Sequence, residues 1–334
     1  MIPIGALRPS TALAAAAIML VVAIGAGAVV GVVTRPAPTV APESPTPIPT
    51  VTPKPDTEPL VFNQPLASGC ATDDAVWVVS DGGGIGRFDR QRQHWDLIDS
   101  TLRSLVAAAC GPDTMVAVGP FGRVVSIDDL AKTINADDIG LFNAYAVSLL
   151  PDGTLVVGSD GTVQRQTAAG WGDYARGIDE DLYGVVGFAG SSAWIVGAGG
   201  VTYRLESVGW KQYETGTTAS LRTISAASPT EAIAAGDDGV ILRFDGRWRA
   251  LESGVKRELR ASARVGPVTY VVGDAGTALA IEGNDVRPIA NISTTCALRS
   301  VFVHGGEVWF VGSEGTLAGV WRLSGDRIDR WGTC

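Results

Sequence analysis

An all-β, seven-bladed β-propeller of four-stranded blades is the fold predicted for residues 66–334, and three observations predict it. A short apolar run followed by a Gly-containing hairpin step recurs seven times. The first small residue of that step falls at 80, 119, 158, 197, 236, 273 and 312, a period of 39 residues with one interval of 37. The composition is rich in glycine (42 residues) and poor in charge (18%), as suits strands joined by many tight turns.

Four segments follow in order. Residues 1–10 form a short N-terminus, expected on the cytoplasmic side. Thr11–Val33 is a 23-residue uncharged run, and about 20 apolar residues suffice to cross the hydrocarbon core as a helix. Arg8 and the α-amino group stand before it and Arg35 after it, which favours a cytoplasmic N-terminus. A cleaved signal peptide, with Ala26-Gly27-Ala28 as the processing site, is the alternative; signal cores run only about 7–15 residues, so length favours an uncleaved single-pass anchor. Either reading puts the remainder on the periplasmic or extracellular side. Residues 34–65 carry ten prolines among Thr and Ser, a composition that cannot bury a core and extends as polyproline II.

The repeat occupies residues 66–334. Its strongest strands read Val76-Trp77-Val78-Val79, Trp194-Ile195-Val196 and Trp309-Phe310-Val311. Apolar runs bounded by turn residues suit strands covered on both faces. The last Gly of each step takes a positive-φ turn position. A short strand lies about 13 residues before each marker, as at Tyr183-Gly184-Val185 and Leu221-Arg222-Thr223-Ile224. An aromatic anchor follows by a similar distance at Trp95, Trp171, Trp210 and Trp248. Four strands in about 39 residues is the size of a propeller blade.

The first and last repeats are in phase and complete, so no strand exchange closes the ring. The four cysteines are expected to do so instead. Cys70 and Cys110 occupy matching ends of the innermost strands of adjacent blades. Cys296 and Cys334 match one period apart. These positions predict Cys70–Cys110 and Cys296–Cys334, with the second tying the tail where the last blade meets the first. Oxidation is expected in an exported domain.

Stretches such as Leu182-Tyr183-Gly184-Val185-Val186-Gly187 with Ala193-Trp194-Ile195-Val196-Gly197 resemble a bacterial exported propeller repeat with W-x-V-G-x-x-G and D-G-x-W motifs. Gly239-Val240-Ile241-Leu242-Arg243-Phe244-Asp245-Gly246-Arg247-Trp248 and Thr215-Gly216-Thr217-Thr218 carry the same resemblance. The sequence is more distantly similar to photosystem assembly-factor-like and Asp-box propellers. The resemblance implies the fold and leaves the activity open.

The net charge is −9, and the charges of residues 1–65 cancel, so the excess lies in the propeller. An acidic domain is a poor partner for nucleic acid or an anionic lipid surface. With two histidines, His94 and His304, in distant repeats, neither a metal centre nor a nucleophilic triad is expected, and no cofactor. Two clusters remain. Arg222, Arg260 and Arg299 share one inner-strand position in blades 5, 6 and 7, with Tyr183 at that position in blade 4; three guanidiniums near the axis would suit a carboxylate or an anionic glycan, whereas the plainer expectation is that each pairs with acids of neighbouring blades. The hairpin tips Asp81, Asp160, Asp237, Asp238, Asp274 and Glu314, with Asp179-Glu180-Asp181, form an acidic rim for a basic protein or Ca²⁺, although Asp also favours such turns for local reasons. The reading is a non-enzymatic protein-interaction or assembly scaffold, with a carbohydrate-binding or glycan-cleaving propeller as the alternative.

Overall fold

The computed structural model describes residues 64–98, 103–189, 192–289, 292, 294–315, 317–325 and 327–334. The N-terminus 1–10, the apolar run 11–33 and all but the last two residues of the Pro-rich stretch lie outside the described residues. The rest forms seven four-stranded antiparallel sheets, each a meander of consecutive strands. We number the sheets as blades 1–7 and letter each blade's strands A to D from the central channel outwards.

The A strands are Leu66–Ala71, Ala107–Cys110, Ala144–Leu150, Leu182–Phe188, Leu221–Ser228, Leu259–Val265 and Ala297–His304. The B strands are the apolar runs of the repeat. Side chains alternate along a strand, so each B strand feeds two cores. Val76 and Val78 pack with blade 7, whereas Trp77 and Val79 pack with blade 2. Trp194 and Val196 face blade 5, whereas Ala193 and Ile195 face blade 3. The hydrophobic core is thus a ring of inter-blade clusters, which is why the B strands are mostly apolar, with their polar residues largely at the strand ends. The Trp anchors lie in D strands: Trp95 in His94–Ile98, Trp171 in Gly170–Asp173, Trp210 in Gly209–Gln212 and Trp248 in Trp248–Leu251.

The hairpin step of the repeat is the B–C turn. In blade 3, Asp160 (φ 54°) and Gly161 (φ 65°) both adopt the left-handed region. A Cβ on Gly161 would lie 1.7 Å from the carbonyl oxygen of Ile178, so only glycine fits. That proximity reflects a general device. In blades 1, 3, 4, 5 and 6 the B–C turn is bonded to the segment leading into that blade's A strand, as Asp237 N–H donating to Ser220 O (2.9 Å) and Asp274 N–H to Glu258 O (3.0 Å). Several are also bonded to the loop after it, as Gly161 N–H to Glu180 O and Gly276 N–H to Cys296 O, both 3.0 Å. B–C turns and D–A loops therefore build one continuous face.

Blades 1 and 7 are each complete, so the ring closes without strand exchange. The seam is an aromatic cluster of Phe88, Trp95, Phe302, Trp309 and Trp331. Phe88 lies 5.1–5.9 Å from Trp95, Trp309 and Trp331, and Trp309 stacks on Trp331 at 5.5 Å. Polar contacts flank it: Arg90–Glu307 (2.8 Å), His304–Asp73 (2.8 Å), and Ser313 Oγ donating to Leu66 O (3.1 Å).

Two disulfides are present, Cys70–Cys110 and Cys296–Cys334. The first joins the inner strands of blades 1 and 2. The second does not tie the tail to the first blade, as the repeat frame implied. Residues 333–334 fold back on blade 7. There Thr333 and Cys334 N–H donate to Ala318 O of that blade's C strand, and Cys334 meets the loop entering the same blade.

Candidate functional site

The site forms where the A strands begin. In six blades an A-strand residue near the start, the second residue in five of them and the third in blade 7, is a β-bulge with no partner on strand B. Bulged residues are released from the ladder and re-aimed. These are Ala67, Tyr145, Tyr183, Arg222, Arg260 and Arg299, and Val106 stands just before the blade 2 strand. The seven line one cavity of about 430 Å³ at the channel mouth, together with Asp81 and Glu258. The mouth is therefore asymmetric around the ring: small and apolar at blades 1 and 2, aromatic at 3 and 4, cationic at 5 to 7.

The three predicted arginines converge there, but two of them are engaged. Arg222 is bidentate to Asp237 (Nε–Oδ1 2.8 Å, Nη2–Oδ2 3.0 Å) and lies 3.6 Å from Glu258. Arg260 pairs with Asp274 (2.6 Å) and Glu258 (3.1 Å). The result is a chain of alternating charge, Asp237–Arg222–Glu258–Arg260–Asp274, across blades 5 and 6. It holds both guanidiniums firmly protonated: the Asp237 hydrogen bond raises Arg222 despite burial, and Asp274 and Glu258 outweigh burial at Arg260. Arg299 differs. Its Nε donates to Ser313 Oγ at 3.0 Å. Burial in the mouth pushes the Asp81 carboxyl up, with Arg299 opposing.

Tyr183 takes part through its ring. The Arg222 guanidinium stacks over it at 4.4 Å, and Tyr145 meets it at 5.4 Å between centroids. Its hydroxyl donates to Asp181 (3.4 Å); burial and that carboxylate raise its pKa. Tyr145 was not singled out from sequence. The signal was present, since it holds the bulge position in blade 3.

The acidic tips and Asp179-Glu180-Asp181 share the same face. Asp160 N–H donates to Asp181 Oδ1 (3.0 Å), and Tyr203 donates to Glu180 (3.2 Å). Asp237 and Asp274 are committed to the mouth arginines; Asp238, beside Asp237, is not. Of the histidines, His304 pairs with Asp73 and His94 lies 3.7 Å from Asp96. Among the described residues no group of His, Cys, Asp and Glu is arranged to hold a metal ion.

The fold has solved counterparts. The WD40 repeats of RRP9 superpose with a TM-score of 0.66 at 9% identity, covering 75% of this chain and 87% of that one. The WD40 propeller domain of Doa1 gives 0.64 at 15% identity over 77% and 92%. YCF48 bound to a D1 peptide gives 0.65 at 12% identity over 86% and 100%. No protein-family model and no curated protein matches the sequence. At these identities the likeness is one of fold.

Proposed function

We propose that the propeller is a non-enzymatic protein-interaction module, displayed outside the cytoplasm by a membrane-inserted segment at Thr11–Val33 and a Pro-rich spacer at 34–65. The observation that carries the interaction reading is the charge chain at the mouth. Arg222 and Arg260 are held by carboxylates of their own blades, which makes a stiff, shaped surface and leaves little free positive charge for an anionic substrate. Loops on a rigid scaffold are where recognition concentrates. A similar ring, that of YCF48, is described with a peptide bound, which supports the same use here.

Arg299 and the Tyr145–Tyr183 pair favour a second reading, in which the mouth takes an anionic sugar: its ring on the tyrosines and its carboxylate on the one guanidinium without a carboxylate in ion-pair reach among the described residues.

Carbodiimide cross-linking of the intact chain in its own membrane separates the two, because it joins carboxylates of this face to lysines of a partner. The expected product links one recurrent protein to the D–A loops or B–C turns. Cross-links confined to the opposite face would overturn the reading. Saturable binding of an anionic glycan that Arg299→Gln abolishes would move the function to the second.

A further inference from the structure

One sector of this face departs from the rest. At the tip of the B–C turn, six blades carry Gly82, Asp160, Gly199, Asp238, Ala275 or Glu314, small or acidic residues; blade 2 carries Phe121. Phe121 is 59% exposed, and Leu141, in the loop between blades 2 and 3, is 99% exposed. Their segments are bonded together: Gly122 N–H donates to Phe142 O (2.6 Å) and Ile139 N–H to Gly122 O (2.9 Å). That loop joins the next turn through Ser159 N–H to Asn143 O (2.9 Å) and Asn143 N–H to Ser159 Oγ (3.2 Å). The turn in turn joins Asp179-Glu180-Asp181 through the bonds of Asp160 and Gly161 described above. Phe121, Leu141, Asp160 and residues 179–181 thus form an unbroken arc over blades 2 to 4, apolar at one end and acidic at the other.

The acidic end carries unspent charge. Asp160, Asp179, Glu180 and Asp181 have no cation in ion-pair reach among the described residues, in contrast to Asp237 and Asp274. Their hydrogen bonds run to backbone N–H groups and to the hydroxyls of Tyr183 and Tyr203. Arg176, exposed in the same loop, is the cation nearest along the chain. Exposed apolar side chains beside uncompensated like charge describe the complement of a ligand with the opposite pattern.

We propose that this arc docks an extended segment of the protein partner that places a bulky apolar residue on Phe121 and Leu141 and basic residues on Asp160 and Asp179–Asp181. The inference rests on the interaction-module reading and specifies its partner's chemistry. The apolar contact supplies affinity and the charges set the direction in which the segment lies.

Panning short random peptides on phage against the intact chain tests it. The expected selection joins Leu, Phe or Trp to Lys and Arg. Selected peptides should bind about tenfold more weakly to the Phe121→Asp, Leu141→Ser double variant. They should lose part of their salt sensitivity on the Asp179→Asn, Glu180→Gln variant, which removes two of the four carboxylates. Phe121, Leu141 and Asp179 are exposed, and Gln at 180, a half-buried position, keeps an acceptor for the Tyr203 hydroxyl; far-ultraviolet circular dichroism checks the folding of both variants. Acidic selected peptides, or binding undiminished by either variant, would overturn this inference and leave the interaction module standing. Selection of no peptide at all would overturn both. Dimerisation of the free chain that the Phe121 variant abolishes would assign the arc to a second copy and overturn the proposal as well.

Discussion

At the scale of single residues, the bulge is what converts a repeat into a site. The ladder turns most A-strand side chains towards the neighbouring blades, where apolar groups and small paired hydroxyls such as Thr223 and Ser262 (2.9 Å) fit. A bulged residue escapes that restriction, and in six blades it is free to be Ala, Tyr or Arg. The repeat frame made Arg222, Arg260, Arg299 and Tyr183 legible as one set, because equivalent positions must share an environment. It also led to the expectation that they pair with acids, but which acids, Asp237, Asp274 and Glu258, depends on turns and loops folding onto the same face. Phe121 was illegible for a related reason: its exposure follows from the turn's geometry, not from its hydrophobicity. It sits at φ 59°, a region that costs non-glycine residues about 1–2 kcal/mol and that Asn tolerates better. Phe121→Asn is therefore expected to stabilise the chain by about 1 kcal/mol in urea denaturation. A clear loss of stability would make Phe121 a structural residue.

At the scale of the element, each blade is held by its neighbours more than by itself. The B strands show this in the sequence as unbroken apolar runs, so the blade count and period were readable without coordinates. The seam was not, because the aromatic residues that meet there come from opposite ends of the chain. Trp309 is fully buried between Phe88, Phe302 and Trp331. Trp309→Ala should cost about 3–5 kcal/mol, and hydrogen exchange should quicken first in blades 1 and 7. The junction of blades 1 and 2 depends on charge as well. Arg87 is bidentate to Asp129 (3.2 and 2.8 Å). Burial works against the Asp129 carboxylate, but Arg87 and Lys132 outweigh it and hold its pKa below the ordinary range. A carboxyl lowered in the folded state contributes stability that is complete above its unfolded pKa of about 4 and is lost as pH falls through the lower folded value. The urea midpoint should therefore fall on acidification below about pH 4, and Arg87→Met should flatten that part of the profile. An unchanged profile would show that the pair contributes nothing measurable.

At the scale of the whole molecule, the seven blades and the absence of strand exchange followed from the phase of the repeat. The path of residues 333–334 did not, because the repeat frame places them by analogy with the other D–A loops, whereas their N–H groups bond back to Ala318 O on the C strand of blade 7. The two disulfides close loops of nearly equal length, 40 and 38 residues, and on chain entropy alone each should contribute about 4 kcal/mol. Paired serine substitutions measured by denaturation are expected to give similar losses. A much smaller loss for Cys296→Ser, Cys334→Ser would mean that blade 7 orders its tail without the bond.

The placement of Cys70 has a mechanical side. Any pull on the chain N-terminal to Leu66 acts directly on the innermost strand of blade 1, which is antiparallel to strand B and peels from one end. Peeling can proceed only from Leu66 to Cys70. From there the load crosses the covalent bond to Cys110 and enters blade 2, bypassing the residues between. Those residues, which include Trp77, Phe88 and Trp95 of blade 1, are shielded from tension. A partner held on the arc of blades 2 to 4 would be joined to the N-terminal stretch by a short force path that leaves most of blade 1 slack.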